Sequence, residues 1–485
     1  MKKADKPEKR DFQSEVELEI RGKIEERNDV EAVKKGEDKE SKYTQSLLEL
    51  VMSKPNLNEA YTKVKRNKGA AGIDKLEVKD LLSYLQEQGE NLRQRVLAGS
   101  YQPQPVRRVE IPKPDGSGKR LLGIPTVIDR LIQQGIQQVL TPIFEKEFSN
   151  YSYGFRPNKS AHDALKQSQQ YIQIGYEYVV DIDLEKFFDR VNHDKLMYLL
   201  SRKIEDKALL KLIRKYLESG VMINGVVLET GEGTPQGGPL SPLLSNIMLN
   251  ELDKELEKRG HKFCRYADDC NIYVKSQRAG ERVMQSITEY IETKLKLKVN
   301  RNKSAVDKPK NRKFLGISFY KMKEEVRMRL HSKTLERIKK KIKEHTQRNN
   351  HKGIEDMIIN LSSLITGWVN YYRIADMKRF CQDVDAWMRR RIRMCLWKQW
   401  KKISTRHDNL VKLGIDNFKA WEFANTCKGY WHIANSFIVS TTITNAYLEK
   451  LGLITFTSCY TNWLKTMNRR MPNGTYGGVR GQVGK

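Results

Sequence analysis

The sequence predicts a multidomain α+β protein, and three observations support this fold class. The chain has 485 residues, which is about three domains at roughly 150 residues each, and 39% of them are hydrophobic, enough for real cores. Between about residues 126 and 320, helical patterns alternate with short strands. Beyond residue 330 the apolar spacing becomes purely helical, so the C-terminal part is predicted to consist of helices.

The charge balance indicates a polyanionic partner. The chain has 89 Lys and Arg against 60 Asp and Glu, a net charge of +29, which favours nucleic acid or an anionic membrane surface as the partner.

Six cysteines without a C-x₂-C pair predict neither a disulfide framework nor structural zinc, and they fit a reducing cytosol. There is no secretory signal, and the longest uncharged run, 429–448, is too polar to span a bilayer. We therefore expect a cytoplasmic protein without a membrane segment.

The N-terminal third begins with a charged extension and leads to a basic hairpin. Residues 1–43 are densely charged and are predicted to form a solvated helical or disordered extension. Helical spacing starts at Ser46, and a loop follows at 69–74. Residues 104–125 alternate apolar and basic side chains around a 115–118 turn, which predicts a β-hairpin. Its basic residues are Arg107, Arg108, Lys113, Lys119 and Arg120, and they are either a binding surface or ordinary solubilising charge.

Two acidic elements follow in the middle of the chain. A strand beginning at Tyr178 places Asp181 and Asp183 on one face by its period of two, and like charges so arranged repel unless a cation lies near them. A second segment, 263–274, has two apolar arms around Asp268 and Asp269, which predicts a hairpin with carboxylates at its tip. Asp-Asp is common in ordinary turns, so this pair alone is weak evidence for a site. Its occurrence together with the acidic strand is what predicts one.

Clustered carboxylates in a cationic chain favour a magnesium site. Mg²⁺ takes one or two protein carboxylates and leaves its other positions to phosphate and water. Two ions about 3.5–4 Å apart are the usual means of in-line phosphoryl displacement. Between the acidic elements lies a glycine-rich loop, 231–242, whose Gln236 could bond a base or sugar edge, although it could equally be a tight loop before a helix.

The helical region after residue 330 is strongly basic. Leu335, Ile338 and Ile342 form an apolar stripe that we interpret as core, and lysines occupy the positions around it. The range 331–410 has a net charge of +11, so this region is predicted to be a basic helical bundle.

Several motifs together resemble a known family. Four of them occur in the order and spacing of reverse transcriptases, namely VVDIDLEKFFD at 179–189, PQGGPLSP at 235–242, YADD at 266–269 and FLGISF at 314–319. With IPKP at 111–114, YGFRP at 153–157 and GWVNYYR at 367–373, the chain resembles the bacterial group II intron-encoded reverse transcriptase/maturases over about residues 44–463.

The resemblance implies a right-hand polymerase with an antiparallel-sheet palm, an all-helical thumb and a small, mostly helical DNA-binding domain. The implied divisions are the extension at 1–43, fingers at 44–175, palm at 176–325, thumb or maturase X domain at 326–404, DNA-binding domain at 405–466 and a flexible basic tail at 467–485.

The resemblance also implies roles for individual residues. Asp183, Asp268 and Asp269 would be the catalytic residues and the ligands of two Mg²⁺ ions, with Asp181 a neighbour. Phe188 would block a ribose 2′-hydroxyl, Lys113 and Arg120 would grip the triphosphate, Gln236 and Gly237 would line the nucleotide pocket, and Lys303 could protonate pyrophosphate or be surface charge. The candidates for nucleic-acid binding are Arg107, Arg108, Lys339, Lys340, Lys341, Lys343, Arg389, Arg390, Arg391 and Arg393.

The function implied is that of an RNA-directed DNA polymerase and intron maturase. It would bind its group II intron RNA as a ribonucleoprotein, promote splicing and copy the intron into target DNA from dNTPs during retrohoming. Paired Cys and His clusters of an endonuclease are absent from the sequence, so we expect no endonuclease domain, as in the class C subgroup. The alternatives are an RNA-binding splicing maturase with a non-essential polymerase site and a domesticated reverse transcriptase of the phage-defence or retron type.

Overall fold

The fold is taken from a computed structural model. It describes residues 46–112, 118–223, 226–228, 232–233, 237–349 and 353–470, all within one compact unit, Gln45–Lys485. A second unit, Met1–Thr44, lies outside the described residues, and so does the predicted charged extension.

Helices and strands alternate up to Leu330, and only helices follow. The elements before the first palm strand are α1 (Leu47–Val51), α2 (Lys54–Asn67), α3 (Leu81–Leu97), β1 (Val106–Pro112), β2 (Lys119–Ile124), α4 (Val127–Glu145) and α5 (Ala161–Gln173). The next are β3 (Tyr178–Ile182), α6 (His193–Ser201), α7 (Lys207–Glu218), β4 (Val221–Ile223), β5 (Val226–Leu228), α8 (Ser241–Lys258), β6 (Lys262–Tyr266), β7 (Asp269–Val274), α9 (Gln277–Lys294), β8 (Ala305–Asp307), β9 (Ile317–Met322) and β10 (Glu325–Leu330).

The helical C-terminal part begins one residue after β10. Its elements are α10 (Ser332–His345), α11 (Ile354–Tyr372), α12 (Lys378–Gln399), α13 (Ile403–Lys412), α14 (Asn417–Ala424), α15 (Tyr430–Ile433), α16 (Phe437–Thr442), α17 (Asn445–Lys450) and α18 (Phe456–Arg470). The predicted α+β class, with helices alone at the C-terminal end, is confirmed. The backbone is helical to Arg470, so the predicted flexible tail begins within a helix, and 471–485 lie outside the described residues.

The predicted basic hairpin is present as β1 and β2. The strands are antiparallel, with Val109 opposite Leu122, and the turn residues 113–117 lie outside the described residues. β1 also pairs in parallel with β4, which pairs with β5, so the sheet order is β2-β1-β4-β5. This sheet links the hairpin to the chain just before the glycine-rich loop, a long-range pairing that local sequence patterns do not reveal.

The palm sheet has the order β6-β7-β3-β8, and all of its neighbouring strands are antiparallel. Val180 and Ile182 point into one core, which they share with the N-terminal helices. Val179 and Tyr273 belong to a second core, which they share with the helices beyond residue 330. Because both faces are covered, polar side chains at the end of the sheet are the ones left to meet a ligand.

The helices beyond residue 330 share the second core. Trp397 of α12 is 1% exposed, and Ile365, Leu448 and Phe456 are buried in the same cluster. The predicted boundary between thumb and DNA-binding domain at 404/405 therefore does not divide two separate cores. The predicted palm boundary at 325/326 falls within β10, which pairs with β9, and the first helix of the C-terminal part starts after His331.

Candidate active site

The register of the palm sheet brings Asp183 and Asp269 to the same end of two neighbouring strands. The last pair of the β3–β7 ladder is Ile182 with Cys270, and Asp183 and Asp269 are the residues next to that pair at the sheet end. Neighbouring strands lie about 4.8 Å apart, within the span that one or two metal ions can bridge. Carboxylates that are far apart in sequence are therefore neighbours in space, as the site prediction requires.

A tight turn carries the other carboxylate. Tyr266 pairs with Asp269, so Ala267 and Asp268 form a two-residue hairpin turn, and Ala267 has a φ of 57°. A positive φ at the first turn position usually requires glycine. Gly154 lies against this turn, where an added Cβ would be 2.3 Å from the Ala267 nitrogen. The neighbouring backbone thus packs closely around the turn.

The backbone of Asp183 is held by the loop that precedes β8. Its N–H donates to Ser304 Oγ at 3.0 Å, and its carbonyl accepts from the Asn300 N–H at 2.8 Å. These two bonds position Asp183 relative to the strand end, although the residue itself lies one position beyond β3.

Two cations neutralise the carboxylates on the β3 side of the site. Arg312 Nε donates to Asp181 Oδ2 at 2.9 Å, and its Nη2 donates to the same oxygen and to the Lys303 carbonyl. Lys303 Nζ lies 3.6 Å from Asp183 Oδ2. Lys303 is therefore at the site, where the sequence offered either a leaving-group acid or surface charge.

The charges of Asp181 and Asp268 still act on Asp269 in spite of these cations. Burial, followed by the charges of Asp181 and Asp268, raises the pKa of Asp269 well above its ordinary value. Burial also raises the pKa of Asp181, against the opposing effect of Arg312. A divalent cation would relieve this repulsion, so the site's charge favours metal binding.

The oxygen donors of the site fit a hard divalent ion. Among the described residues, no three His, Cys, Asp or Glu side chains already form a group that could hold a metal on their own. In proteins Mg²⁺ takes one or two carboxylates, and substrate phosphates and water complete its shell.

Phe188 lies just beyond Asp183 in a short 3₁₀ turn, 187–189. Its ring is partly buried and meets Phe187 edge to face, with centroids 5.2 Å apart. Gly233 passes behind this turn, where a Cβ would be 2.9 Å from the Phe188 carbonyl oxygen. The turn is thus packed from behind.

Only part of the predicted nucleotide pocket falls within the described residues. Gly237 has a φ of 130°, and a Cβ there would lie 2.5 Å from the Gly123 carbonyl oxygen of β2, so the glycine-rich loop touches the hairpin at its glycine pair. The Arg120 backbone faces Ile111 in the hairpin. Lys113, Gln236 and the side chain of Arg120 lie outside the described part.

The two hairpin arginines have internal contacts. Arg107 Nε donates to the Ala71 carbonyl at 3.1 Å, and Arg108 Nη2 lies 4.0 Å from Asp189 Oδ1. The second contact ties the hairpin to the turn that carries Phe188. Binding of nucleic acid by Arg107 and Arg108 stays a prediction.

The predicted nucleic-acid residues beyond position 330 fall into two groups. Lys339, Lys340, Lys341 and Lys343 are exposed on α10, while Ile338 and Ile342 face the core. The arginines of α12, at 389–393, were predicted to bind nucleic acid, and their side chains are half-buried. Three of them donate hydrogen bonds to other parts of this chain.

Those three arginines join α12 to other parts of the chain. Arg390 donates to the Trp431 carbonyl and lies 3.9 Å from the centre of that ring, and Arg391 donates to the hydroxyl and carbonyl oxygens of Thr346. Arg393 donates to the Ile443 carbonyl at 2.8 Å. The contacts give these side chains a role in packing, and nucleic-acid binding by the α12 arginines stays a prediction.

Sequence reasoning missed two arginines beside the acidic residues. Arg265 is 1% exposed within β6, and Arg312 pairs with Asp181. For Arg265 a signal was available, because an arginine inside an otherwise apolar strand must be paired when the sheet is buried. For Arg312 no local signal existed, since its partner lies 131 positions earlier.

The chain is similar to known reverse transcriptases and group II intron proteins. Residues 111–319 match the family "Reverse transcriptase (RNA-dependent DNA polymerase)", and residues 335–414 match "Group II intron, maturase-specific domain". Protein YkfC of Escherichia coli K12 is 34% identical over 302 residues, covering 54% of this chain and 79% of that protein. Group II intron-encoded protein LtrA of Lactococcus lactis is 40% identical over 206 residues, covering 42% of this chain.

The chain belongs to the reverse transcriptase/maturase family of group II introns, and it is an RNA-directed DNA polymerase with the right-hand fold of that family. The maturase-specific match runs to 414, beyond the predicted thumb end at 404. The family generally uses divalent metal ions. The alignment with LtrA spans 34% of that protein's length.

A solved chain titled "Partial Cas6-RT-Cas1–Cas2 complex" is 26% identical, covers 52% of this chain and 43% of its own length, and has a TM-score of 0.34. So low a score carries no argument about function. Among the helices that the structure describes, none is both long enough and apolar enough to cross a membrane.

Proposed function

We propose that this chain is the reverse transcriptase and maturase of a group II intron, which binds the intron RNA, promotes its splicing and copies it into DNA at a target site. The observation that supports the proposal is the β3–β7 register, whose last pair, Ile182 with Cys270, is flanked by Asp183 and Asp269 at the end of the palm sheet. The maturase-specific match over 335–414 and the name of the LtrA relative support the intron RNA as partner.

In this proposal Asp183, Asp268 and Asp269 hold two Mg²⁺ ions. When bound, the ions would activate the primer hydroxyl and stabilise the leaving oxygen in an in-line displacement. Lys303, 3.6 Å from Asp183, is placed to give a proton to the departing pyrophosphate. Its position beside a metal ligand favours this role over that of plain surface charge.

The other residues of the pocket select and hold the dNTP. The ring of Phe188 excludes a 2′-hydroxyl by shape, which needs no buried polar partner. Lys113 and Arg120 bind the triphosphate, and the arginine fork suits phosphate oxygens. Gln236 and Gly237 line the pocket, and the contact between Gly237 and Gly123 brings this loop to the hairpin.

The exposed lysines of α10 are proposed to bind phosphates of the intron RNA. They lie on the outer side of a helix whose inner side is core, so they are available to a partner without cost to packing. The DNA target would be held by the helices after α12.

The test is cDNA synthesis on a primed RNA template with Mg²⁺. Asp268→Asn and Asp269→Asn should each lower the rate at least about 10³-fold, because a lost ligand removes several kcal/mol of transition-state stabilisation. Binding of the intron RNA should be unchanged. Asp307→Asn, at the far end of the same sheet, is the matched control and should keep its activity.

Other results would change the proposal. Undiminished synthesis by the Asp268→Asn variant would overturn the site. If the wild-type chain promotes splicing but synthesises no cDNA, it is an RNA-binding maturase only. Synthesis without selective binding of group II intron RNA would indicate a domesticated reverse transcriptase.

A further inference from the structure

Arg265 is a fully enclosed cation next to the catalytic turn. It is 1% exposed, and its partner Asp253 on α8 is 0% exposed. Isolated buried charges are very costly, so such a pair persists only where its geometry is well satisfied. The other hydrogen bonds of the Arg265 guanidinium therefore indicate the role of the pair.

All five N–H donors of Arg265 are used. Nε and Nη2 donate to the two oxygens of Asp253 at 2.7 and 2.5 Å. The other Nη2 hydrogen goes to Ser152 Oγ at 2.7 Å. Nη1 donates to Asn246 Oδ1 at 3.1 Å and to the carbonyl of Ala267 at 2.8 Å. A guanidinium has no further donor to offer.

The bond to the Ala267 carbonyl fixes a particular peptide plane. That carbonyl belongs to the peptide joining Ala267 to Asp268, so its direction sets how the Asp268 side chain leaves the backbone. Ala267 holds a φ of 57°, a left-handed conformation that is unfavourable for a non-glycine residue. Such a conformation persists only where the surroundings over-determine it.

A second arm of the network reaches the same turn. Asn246, which accepts from Arg265, donates through Nδ2 to the Gly154 carbonyl at 2.9 Å. Gly154 in turn lies against Ala267, closer than any side chain would allow. Helix α8, the segment before Gly154 and strand β6 therefore converge on one turn, with Arg265 at their centre.

We propose that Arg265 is a positioning residue of the polymerase site: it clamps the Ala267–Asp268 peptide so that Asp268 and Asp269 meet Asp183 with the spacing that two metal ions need. This inference rests on the proposed site. The Asp253 pair alone would satisfy a purely structural need for charge balance, and the bond to the Ala267 carbonyl is the part that acts on the turn.

The test compares Arg265→Lys with a matched variant, Arg156→Lys. Arg156 is also buried, at 9% exposure, and pairs with Glu145. Its other bonds go to the carbonyls of Ser149 and Ser152, so it shares Ser152 with Arg265 but has no bond to the turn at Ala267. A lysine keeps the charge in either place but loses the fork. Both variants should lower the Tm to a similar extent.

Only Arg265→Lys should change the metal response. We expect its kcat to fall about 10²-fold, the typical effect of a displacement of about 1 Å at reacting groups. The KM for dNTP should stay within about threefold of wild type, since substrate binding is not removed. The Mg²⁺ concentration for half-maximal rate should rise, and Mg²⁺ alone should raise the Tm less than it does in Arg156→Lys.

A gentler variant covers the case in which Arg265→Lys does not fold. Asn246→Ala leaves the Asp253 pair in place and removes one support of the clamp, so it should raise the Mg²⁺ midpoint in the same direction. Equal Mg²⁺ midpoints in the Arg265, Asn246 and Arg156 variants would overturn the inference. Asp268→Asn, measured alongside, distinguishes failure of the positioning role from failure of the proposed site. Full activity of Asp268→Asn would reject the site itself.

Discussion

Arg312 holds Asp181 through two donors on one carboxylate oxygen, so Asp181 faces a cation of its own while Asp183, two residues on, faces the site. Both side chains leave the same face of β3. The pairing with Arg312 gives a physical basis for the different roles of Asp181 and Asp183 that the motif resemblance implies.

We therefore predict unequal effects of two neighbouring substitutions. Asp181→Asn should lower cDNA synthesis less than about tenfold and raise the Mg²⁺ requirement, because the uncompensated Arg312 then repels the ions. Asp183→Asn should lower synthesis at least about 10³-fold, since it removes a ligand. Steady-state rates over a range of Mg²⁺ concentrations measure both. Equal losses of cDNA synthesis in the two variants would indicate that Asp181 is also a metal ligand.

The raised pKa of Asp269 predicts a pH-dependent response to Mg²⁺. A raised pKa means that the folded protein without metal binds this proton more tightly than the unfolded chain does, so this group favours the fold at low pH and opposes it above its pKa. Mg²⁺ binds the ionised form. The Tm increase caused by Mg²⁺ should therefore be larger at pH 8 than at pH 5.5, and it corresponds to about 2.7 kcal/mol at roughly 100 times the Kd.

Asp269→Asn is the control for that measurement. It should raise the Tm of the protein without Mg²⁺ at pH 8 and remove most of the response to the ion. A response to Mg²⁺ that is the same at both pH values, or that survives in the variant, would show that the ion binds elsewhere.

Phe188 is predicted to discriminate between sugars. Phe188→Ala should raise the incorporation of ribonucleotides relative to dNTPs, because the space closed by the ring then admits a 2′-hydroxyl. Phe188→Tyr keeps the bulk and should keep the discrimination. Competition between dNTP and rNTP in primer extension measures the ratio, and an unchanged ratio in Phe188→Ala would reject the role.

The basic side chains beyond residue 330 should separate into RNA contacts and packing residues. Replacing Lys339, Lys340 and Lys343 by Ala should weaken RNA binding and reduce its salt slope by about one per lost phosphate contact, with little change in Tm. Arg391→Ala should instead lower stability by about 1–3 kcal/mol, because the Thr346 hydroxyl oxygen loses its donor and the Thr346 carbonyl keeps only the weak Cys395 thiol. Salt titrations and thermal melts distinguish the two, and a large Tm loss in the lysine variant would contradict the division.

Gly154 is predicted to be intolerant of any side chain. Gly154→Ala would place a Cβ 2.3 Å from the Ala267 nitrogen, so the turn must shift, and both stability and polymerase rate should fall. Gly89→Ala is the control, since its nearest neighbour would be 3.9 Å away inside α3, and it should stabilise by about 0.5–1 kcal/mol. Normal activity in Gly154→Ala would show that the turn adapts freely.

Local patterns were sufficient for the elements of the fold. The hairpin at β1 and β2, the acidic strand β3, the hairpin that carries Asp268 and the helices between Leu330 and about residue 404 all follow from short-range spacing, because periodicity and turn chemistry act over a few residues. The helices after residue 404 followed only from the family resemblance. The domain divisions stay a prediction. β10 pairs with β9 across the predicted palm boundary, and the last helices share a core with the thumb, since packing does not follow breaks in composition.

By itself the sequence determined the chemistry of this protein: which carboxylates could bind metal, which cations could bind phosphate, and which family carries these motifs. The tertiary structure decided which of them meet. Arg312 neutralises Asp181, Arg265 reaches the Ala267 carbonyl, and the α12 arginines bind backbone oxygens instead of lying open. The physical reason is that a buried charge must find its partner wherever folding places one, and that partner can lie far away along the chain.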